Sequence, residues 1–388
     1  MDRKILTSLL LVGLVIAPDL GKRPFGNVSA AQAPQTRPGG VPSAATALRA
    51  PDGMPTFQVD PSWPKLPAKW KLGDVSSVAV DAQDHVWILH RPRTLSADQS
   101  TMAAPPVLEF DAAGNFIQGW GGPAEGYEWP EREHGIHVDY KGNVWLGGNN
   151  CAARKLPGLK PVSDDQLLKF TKTGKLVMQI GRSNMSRGNG DTKNLHEPAD
   201  AFVYQKTNEV FVADGYGNHR VIVLDADTGA FKRMWGAFGE KPVDSDVCPP
   251  PTGASIKDAG GEGPQQFAIV HAARVSKDGF VYVGDRENKR VQVFTIDGKF
   301  VTQVFIGRNT PGATATAGCV AFSPDPQERF LYVSGNSQIA VLNRKTLEIL
   351  GSFGGASAHH IAVDSKGNIY TAETGQRRAQ KFLFKGLS

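Results

Sequence analysis

Between residue 56 and the C-terminus one phrase returns six times: an alternating strand, a polar turn, a second apolar strand, then a loop. The copies begin Val78-Ala79-Val80-Asp81 with Val86-Trp87-Ile88, and Ile136-His137-Val138-Asp139 with Val144-Trp145-Leu146. They continue as Ala201-Phe202-Val203-Tyr204 with Val210-Phe211-Val212, and Ala273-Arg274-Val275-Ser276 with Val281-Tyr282-Val283. The last two are Val320-Ala321-Phe322-Ser323 with Leu331-Tyr332-Val333, and Ile361-Ala362-Val363-Asp364 with Ile369-Tyr370-Thr371. Most copies run on into a third strand, as at Val221-Ile222-Val223-Leu224, and a fourth, as at Phe231-Lys232-Arg233-Met234-Trp235. Four short strands per unit, at about 55 residues per unit, predict an all-β six-bladed β-propeller over 56–388. A two-sheet sandwich has short strands too, but it does not repeat a four-strand phrase six times. The last copy shows three strands, so Phe57-Gln58-Val59 is expected to supply its fourth and close the ring, which removes two open sheet edges.

Upstream of the repeats, Asp2-Arg3-Lys4 precedes an apolar run from Ile5 to Ala17 that is too short to span a bilayer, with small residues around Ser29-Ala30. Residues 1–30 therefore read as an export signal. Residues 31–55, rich in Ala, Pro, Gly and Thr, read as a disordered linker. The mature chain has no apolar run long enough for a membrane span, and a periplasmic or secreted monomer is expected. A net charge of +5 with no basic run argues against a nucleic-acid partner. Three cysteines (Cys151, Cys248, Cys319) allow one internal disulfide and leave one thiol, with the pairing open. The absence of C-x-x-C excludes the common thiolate zinc sites.

Aligning the six copies on Val80, Val138, Val203, Val275, Phe322 and Val363 exposes the residue four positions upstream. That column reads Ser76, His134, Ala199, His271, Gly318, His359. Strand one of a blade lines the central channel, so histidines on blades two, four and six converge on the axis with small residues between them. Three imidazoles with an open fourth position make the ligand set of a catalytic zinc site. The loop after each second strand reaches the same rim and places Arg91, Tyr216 and Arg286 there. Two guanidinium groups and a phenol beside a metal suit a small-molecule or peptide substrate with a terminal carboxylate. The phenol, next to these cations, is placed to act as a base.

These residues resemble a known family. The repeats are similar to NHL repeats, and Arg91, His134, Tyr216, His271, Arg286 and His359 together resemble the site of peptidyl-α-hydroxyglycine α-amidating lyase. The resemblance is clearest at His134-Gly135-Ile136, Asp214-Gly215-Tyr216-Gly217-Asn218-His219-Arg220 and Asp285-Arg286-Glu287-Asn288-Lys289-Arg290. It implies a carbon–nitrogen lyase of peptide amidation, which cleaves the N–Cα bond of a C-terminal α-hydroxyglycine to a peptide amide and glyoxylate. Zinc would hold the α-hydroxyl, Tyr216 would take its proton, Arg91 would sit beside both, and Arg286 would lie near the substrate. The chain departs from the family at four positions. His360 replaces the calcium-binding Asp directly after the third histidine, so Ca2+ is not expected there. Ser357 stands for a Met, and His196 and Gly217 stand for two half-cystines around the tyrosine loop. No copper monooxygenase domain is legible either, so the hydroxylated substrate is expected from another protein, or is a different carbinolamide.

Two other readings use the same fold. A propeller hydrolase acting on lactones or esters typically holds calcium on carboxylate and carbonyl oxygens, whereas this column offers imidazoles. A binding scaffold explains the blades but not histidines on alternate ones.

Overall fold

The structure, a computed structural model, describes residues 53–244, 260–311, 313–335, 338–354 and 357–388. The proposed signal peptide, most of the linker and Cys248 lie outside the described residues. Six four-stranded antiparallel sheets follow one another along the chain, so the six-bladed propeller expected from the repeats is the observed fold. Blades one to five each take four consecutive strands. Blade six is built from His360–Val363, Ile369–Glu373 and Arg378–Leu387, with Pro55–Asp60 as its outermost strand. Phe57 pairs with Phe384 and Val59 with Phe382, which closes the ring as expected. The strand already begins at Pro55, ahead of the expected linker end, because Met54 and Ser388 exchange backbone hydrogen bonds at 3.1 and 3.0 Å. Among the described residues no helix is long and apolar enough to cross a membrane.

The physical reason for the repeated Val-Asp…Val-Trp phrase lies in the turn between the first two strands. Asp139 Oδ1 accepts the backbone N–H groups of Lys141 and Asn143 at 2.9 and 2.8 Å, and its Oδ2 accepts the Trp145 indole N–H at 2.9 Å. Asp81 does the same for Gln83, His85 and Trp87, and Asp364 for Lys366, Asn368 and the Tyr370 hydroxyl. One carboxylate thus sets the turn and anchors the aromatic ring of the next strand, which is the Asx-turn chemistry expected of aspartate. The core lies between neighbouring sheets. Trp87, Leu89 and Val107 of blade one pack against Ile136, Val144 and Leu146 of blade two, all at 1% exposure or less. Each such side chain contributes about 1.5–3 kcal/mol of burial.

The innermost strands of blades one to four are Asp74–Val80, Glu133–Val138, Asp200–Tyr204 and Val270–Val275. Those of blades five and six are Val320–Phe322 and His360–Val363. The residues at which these strands begin face one end of the channel.

Candidate metal centre and phenol site

The three column histidines meet in the channel. Ring centroids are 4.9 Å apart for His134 and His271, 4.8 Å for His134 and His359, and 4.8 Å for His271 and His359, a nearly equilateral triangle. His134 and His271 are fully buried, and His359 is partly open. The small residues between them orient the rings as well as leaving space. His134 Nδ1 lies 2.7 Å from the Ala199 carbonyl, and His359 Nδ1 lies 2.7 Å from the Ser76 carbonyl. Those contacts put the proton on Nδ1 and leave the lone pair on Nε2, which in His134 faces the Tyr216 hydroxyl. The Gly318 carbonyl acts on His271 in the same sense, without a bond of standard geometry. Gly135 makes the approach possible, since a Cβ there would lie 2.3 Å from the Ala199 oxygen.

All three imidazoles are held well below the usual histidine value of 6.5. Burial is the largest cause in each; repulsion from His359 and His271 adds for His134, from Arg286 for His271, and from Arg91 for His359. Neutral imidazoles are what a metal requires. One ligand nitrogen from each histidine lies within 4.8 Å of the others, a spacing that small ring rotations would close onto an ion with bonds of about 2.0–2.1 Å. His271 has both ring nitrogens buried without a hydrogen-bond partner. The donor set therefore fits a divalent ion of the zinc type.

Tyr216, 5% exposed, reaches the triad from the loop after the second strand of blade three. Its hydroxyl lies 2.9 Å from His134 Nε2 and accepts from Arg286 Nη1 at 2.8 Å, while the Arg286 guanidinium sits 5.3 Å from the ring centroid. Although burial opposes its charge, contact with Tyr216 and Glu287 holds Arg286 above its ordinary value. The two arginines act on the phenol in different ways. Arg286, rather than Arg91, hydrogen-bonds the phenol. Arg91 ends the second strand of blade one and donates from Nε to the Glu133 carbonyl at 2.7 Å; it acts on Tyr216 only through charge. Arg286 is nearer because its loop leaves the blade beside the tyrosine loop.

The two loops share a buried clamp. Asp285 accepts from Arg290 Nε at 2.7 Å and from Asn288 at 2.8 Å, and Asp214 accepts from Arg220 Nε and from Asn218, each at 2.8 Å. Arg and acid are five positions apart in blade four and again in blade six (Glu373 and Arg378), but six apart in blade three. The extra residue in the blade-three loop goes with the tyrosine that reaches the channel. His196 and Gly217 remain in contact without a disulfide, and a Cβ at Gly217 would lie 2.3 Å from His196 Cγ. The imidazole fills the volume between them.

A second cluster, one residue further along the inner strands, escaped the sequence reading although it stands in the adjacent column: Asp200, Cys319 and His360. Arg274 forms an ion pair with Asp200, and His360 Nε2 is 3.5 Å from the same carboxylate. Burial opposes a charge on His360, but Cys319 and Asp200 push it up to about 9. Cys319 is a buried free thiol, and Cys151 is disulfide-bonded. His90 is structural: it is buried, accepts from the Gly73 N–H at 3.1 Å and lies 3.0 Å from the Pro105 carbonyl. A third group, Asp81, His85 and Glu109, has its oxygens taken by the turn, Lys172 and Gln118.

Comparison with known proteins agrees with the propeller fold. The NHL repeat model matches residues 267–294. NHL repeat-containing protein 3 of Mus musculus is 26% identical over 354 residues, covering 85% of this chain and 84% of that protein. Peptidyl-glycine alpha-amidating monooxygenase A of Xenopus laevis is 26% identical over 349 residues, covering 84% of this chain and 33% of that protein. A Caenorhabditis elegans protein named "Probable peptidyl-alpha-hydroxyglycine alpha-amidating lyase" is 26% identical over 283 residues, covering 69% of each. A solved structure of streptogramin B lyase shares the fold, with a TM-score of 0.50 at 12% identity over 85% of this chain and 98% of that one. The chain is thus a six-bladed β-propeller with a match to the NHL repeat, and it is similar at low identity to proteins named as peptidyl-α-hydroxyglycine α-amidating lyases.

Proposed function

We propose that the chain is a metal-dependent lyase that cleaves the N–Cα bond of a peptidyl-α-hydroxyglycine, or of a related carbinolamide, to an amide and glyoxylate. The observation that carries this reading is the Tyr216 hydroxyl, held between His134 Nε2 at 2.9 Å and Arg286 Nη1 at 2.8 Å. A divalent ion on His134, His271 and His359, zinc by the donor set, would supply Lewis acidity toward the substrate hydroxyl. Tyr216, its oxygen held by Arg286, accepts the hydroxyl proton. As the carbon–oxygen double bond forms, the C–N bond breaks and its electron pair leaves with the amide nitrogen. Tyr216 then returns the same proton to that nitrogen, so the protein ends as it began. Arg91, 3% exposed, brings positive charge to the side where the carboxylate and developing oxyanion would lie. The mature chain would act after export, as a monomer, on a small or peptide substrate with a terminal carboxylate.

The test is glyoxylate release from an α-hydroxyglycine peptide. Tyr216→Phe keeps the ring and should keep the metal, yet turnover should fall by about two to four orders of magnitude. A second reading, a non-catalytic scaffold, draws on the match to NHL repeat-containing protein 3, whose name states the repeats and no activity. Metal-loaded protein that releases no glyoxylate from any such peptide would overturn the reading as a peptidyl-α-hydroxyglycine lyase.

A further inference from the structure

The loops after the second strands of blades three, four and six each join an acid to an arginine. In blades four and six the spacing of that pair is the same, so the two loops compare position by position. Two residues after the acid, blade six has Gly375 and blade four has Glu287. The turn itself therefore does not require a carboxylate there. Yet Glu287 is only 4% exposed, and burying a carboxylate is unfavourable unless it is paired. Its partner is the neighbouring Arg286: one oxygen, Oε1, accepts from Nε at 2.9 Å and lies 2.8 Å from Nη2. The backbone fixes the pair, since the N–H groups of Arg286 and Glu287 donate to the Ile269 and Ala268 carbonyls at 3.1 and 3.0 Å.

A guanidinium carries its N–H donors in one rigid plane, so its Nε–Nη2 edge and its Nη1 tip cannot be aimed independently. With Nε and Nη2 on Glu287, Nη1 points at the Tyr216 hydroxyl, 2.8 Å away, and that hydroxyl also lies 2.9 Å from His134 Nε2. On the triad side the neighbours of Arg286 are His271 and His359, and a divalent ion bound there would repel the guanidinium. A carboxylate on the opposite edge counters that repulsion. Resting on the lyase reading above, we propose that Glu287 is a positioning residue: it holds Arg286 with Nη1 against the Tyr216 hydroxyl, and so keeps that oxygen in place for the substrate's hydroxyl proton.

Two substitutions test this. Glu287→Ala removes the anchor, whereas Glu287→Gln keeps an oxygen that can accept the same N–H groups without the charge. With an α-hydroxyglycine peptide, Glu287→Ala should lower kcat by about 100-fold and Glu287→Gln by about tenfold, with KM within about twofold in both. In an Arg286→Ala background, Glu287→Ala should have no further effect on kcat, because the residue it acts through is gone. Wild-type kcat in either single variant, or a loss that recurs in full in the Arg286→Ala background, overturns the proposal while leaving the lyase intact. If wild-type protein cleaves no such peptide, the lyase reading fails, and carbon NMR of protein labelled at the tyrosine Cζ decides the positioning. The Tyr216 signal, identified by its absence in Tyr216→Phe, should move in Glu287→Ala as it does in Arg286→Ala, and less in Glu287→Gln. A Tyr216 signal that stays at its wild-type position in Glu287→Ala rejects Glu287 as the residue that holds Arg286.

Discussion

His359 and His360 are chain neighbours in the same channel, yet their surroundings drive them in opposite directions. His359 faces two other imidazoles, with Arg91 and Arg286 near, and is held well below 6.5 by burial and by those cations. His360 faces Asp200 and Cys319, and despite burial it is pushed up to about 9. One position along an inner strand thus separates a neutral donor fit for a metal from a cation that already balances an anion. In the lower group Asp200 and a low-lying Cys319 thiol stand against Arg274 and His360, so the charges offset one another within the protein. Among the described residues no carboxylate completes the triad in this way: its three imidazoles face one another. The lesson is that an identical side chain on an identical strand becomes a ligand or a structural charge according to its facing residues.

The comparison breaks most visibly at the triad. His134→Ala, His271→Ala and His359→Ala should each remove the bound metal, with glyoxylate release falling at least as far as in Tyr216→Phe, by about two to four orders of magnitude or more. Wild-type protein should carry about one divalent ion per chain, read by elemental analysis, with the melting curve showing that the blades remain folded. A metal that persisted at full stoichiometry in all three variants would place it elsewhere.

The lower group should respond in stability instead. Asp200→Asn strands the Arg274 guanidinium and the His360 imidazolium without their carboxylate. Breaking a buried ion pair from one side costs about 3–5 kcal/mol, measurable by urea unfolding. Adding Arg274→Gln should restore part of the loss, because both charges then leave together. If the single variant were as stable as wild type, the charges at this level would not be coupled as the structure has them.

Much of this was legible in the chain, and the reason is periodicity. The Val-Asp…Val-Trp phrase carries its own turn chemistry through Asp81, Asp139 and Asp364, so each copy announces two strands and their join. The histidine column was legible because aligned repeats place equivalent residues at equivalent depth. Pairings between blades were not, since they join residues with no fixed spacing. Arg286 reaches Tyr216 across 70 positions, and Asp200 reaches Arg274 and His360 on two other blades.

The two histidine levels should also separate by pH. The triad imidazoles have folded values far below their unfolded value near 6.5, so in metal-free protein the unfolded state takes up protons first. Their effect is absent at high pH, and stability is lost as pH falls below about 6.5. His360 has the opposite sign: its contribution is full below about 6.5 and is lost as pH rises through about 9. Cys319, held below 9.0, contributes in the alkaline range and offsets part of that loss. Thermal melting of wild type and His360→Gln should therefore differ most near pH 6 and converge toward pH 9. A gap that widened with rising pH would contradict the charge assigned to His360.

The smallest expected effect is that of calcium, which should leave the melting temperature unchanged whether added or chelated. Calcium takes six to eight oxygen ligands at about 2.3–2.6 Å. At this level the carboxylate of Asp200 is already held by the Arg274 guanidinium, with the His360 imidazole 3.5 Å away. An incoming divalent ion would have to displace one cation and sit beside the other, in a buried setting where repulsion is poorly screened. His360→Asp alone should therefore remain indifferent to calcium, because Arg274 still occupies the carboxylate. Combining His360→Asp with Arg274→Gln removes both positive charges and supplies a second carboxylate beside Asp200. That double variant should melt higher with calcium than with a calcium-selective chelator, while the histidine triad keeps its own metal. A calcium-dependent shift already present in wild-type protein would mean that Arg274 and His360 do not fill this place.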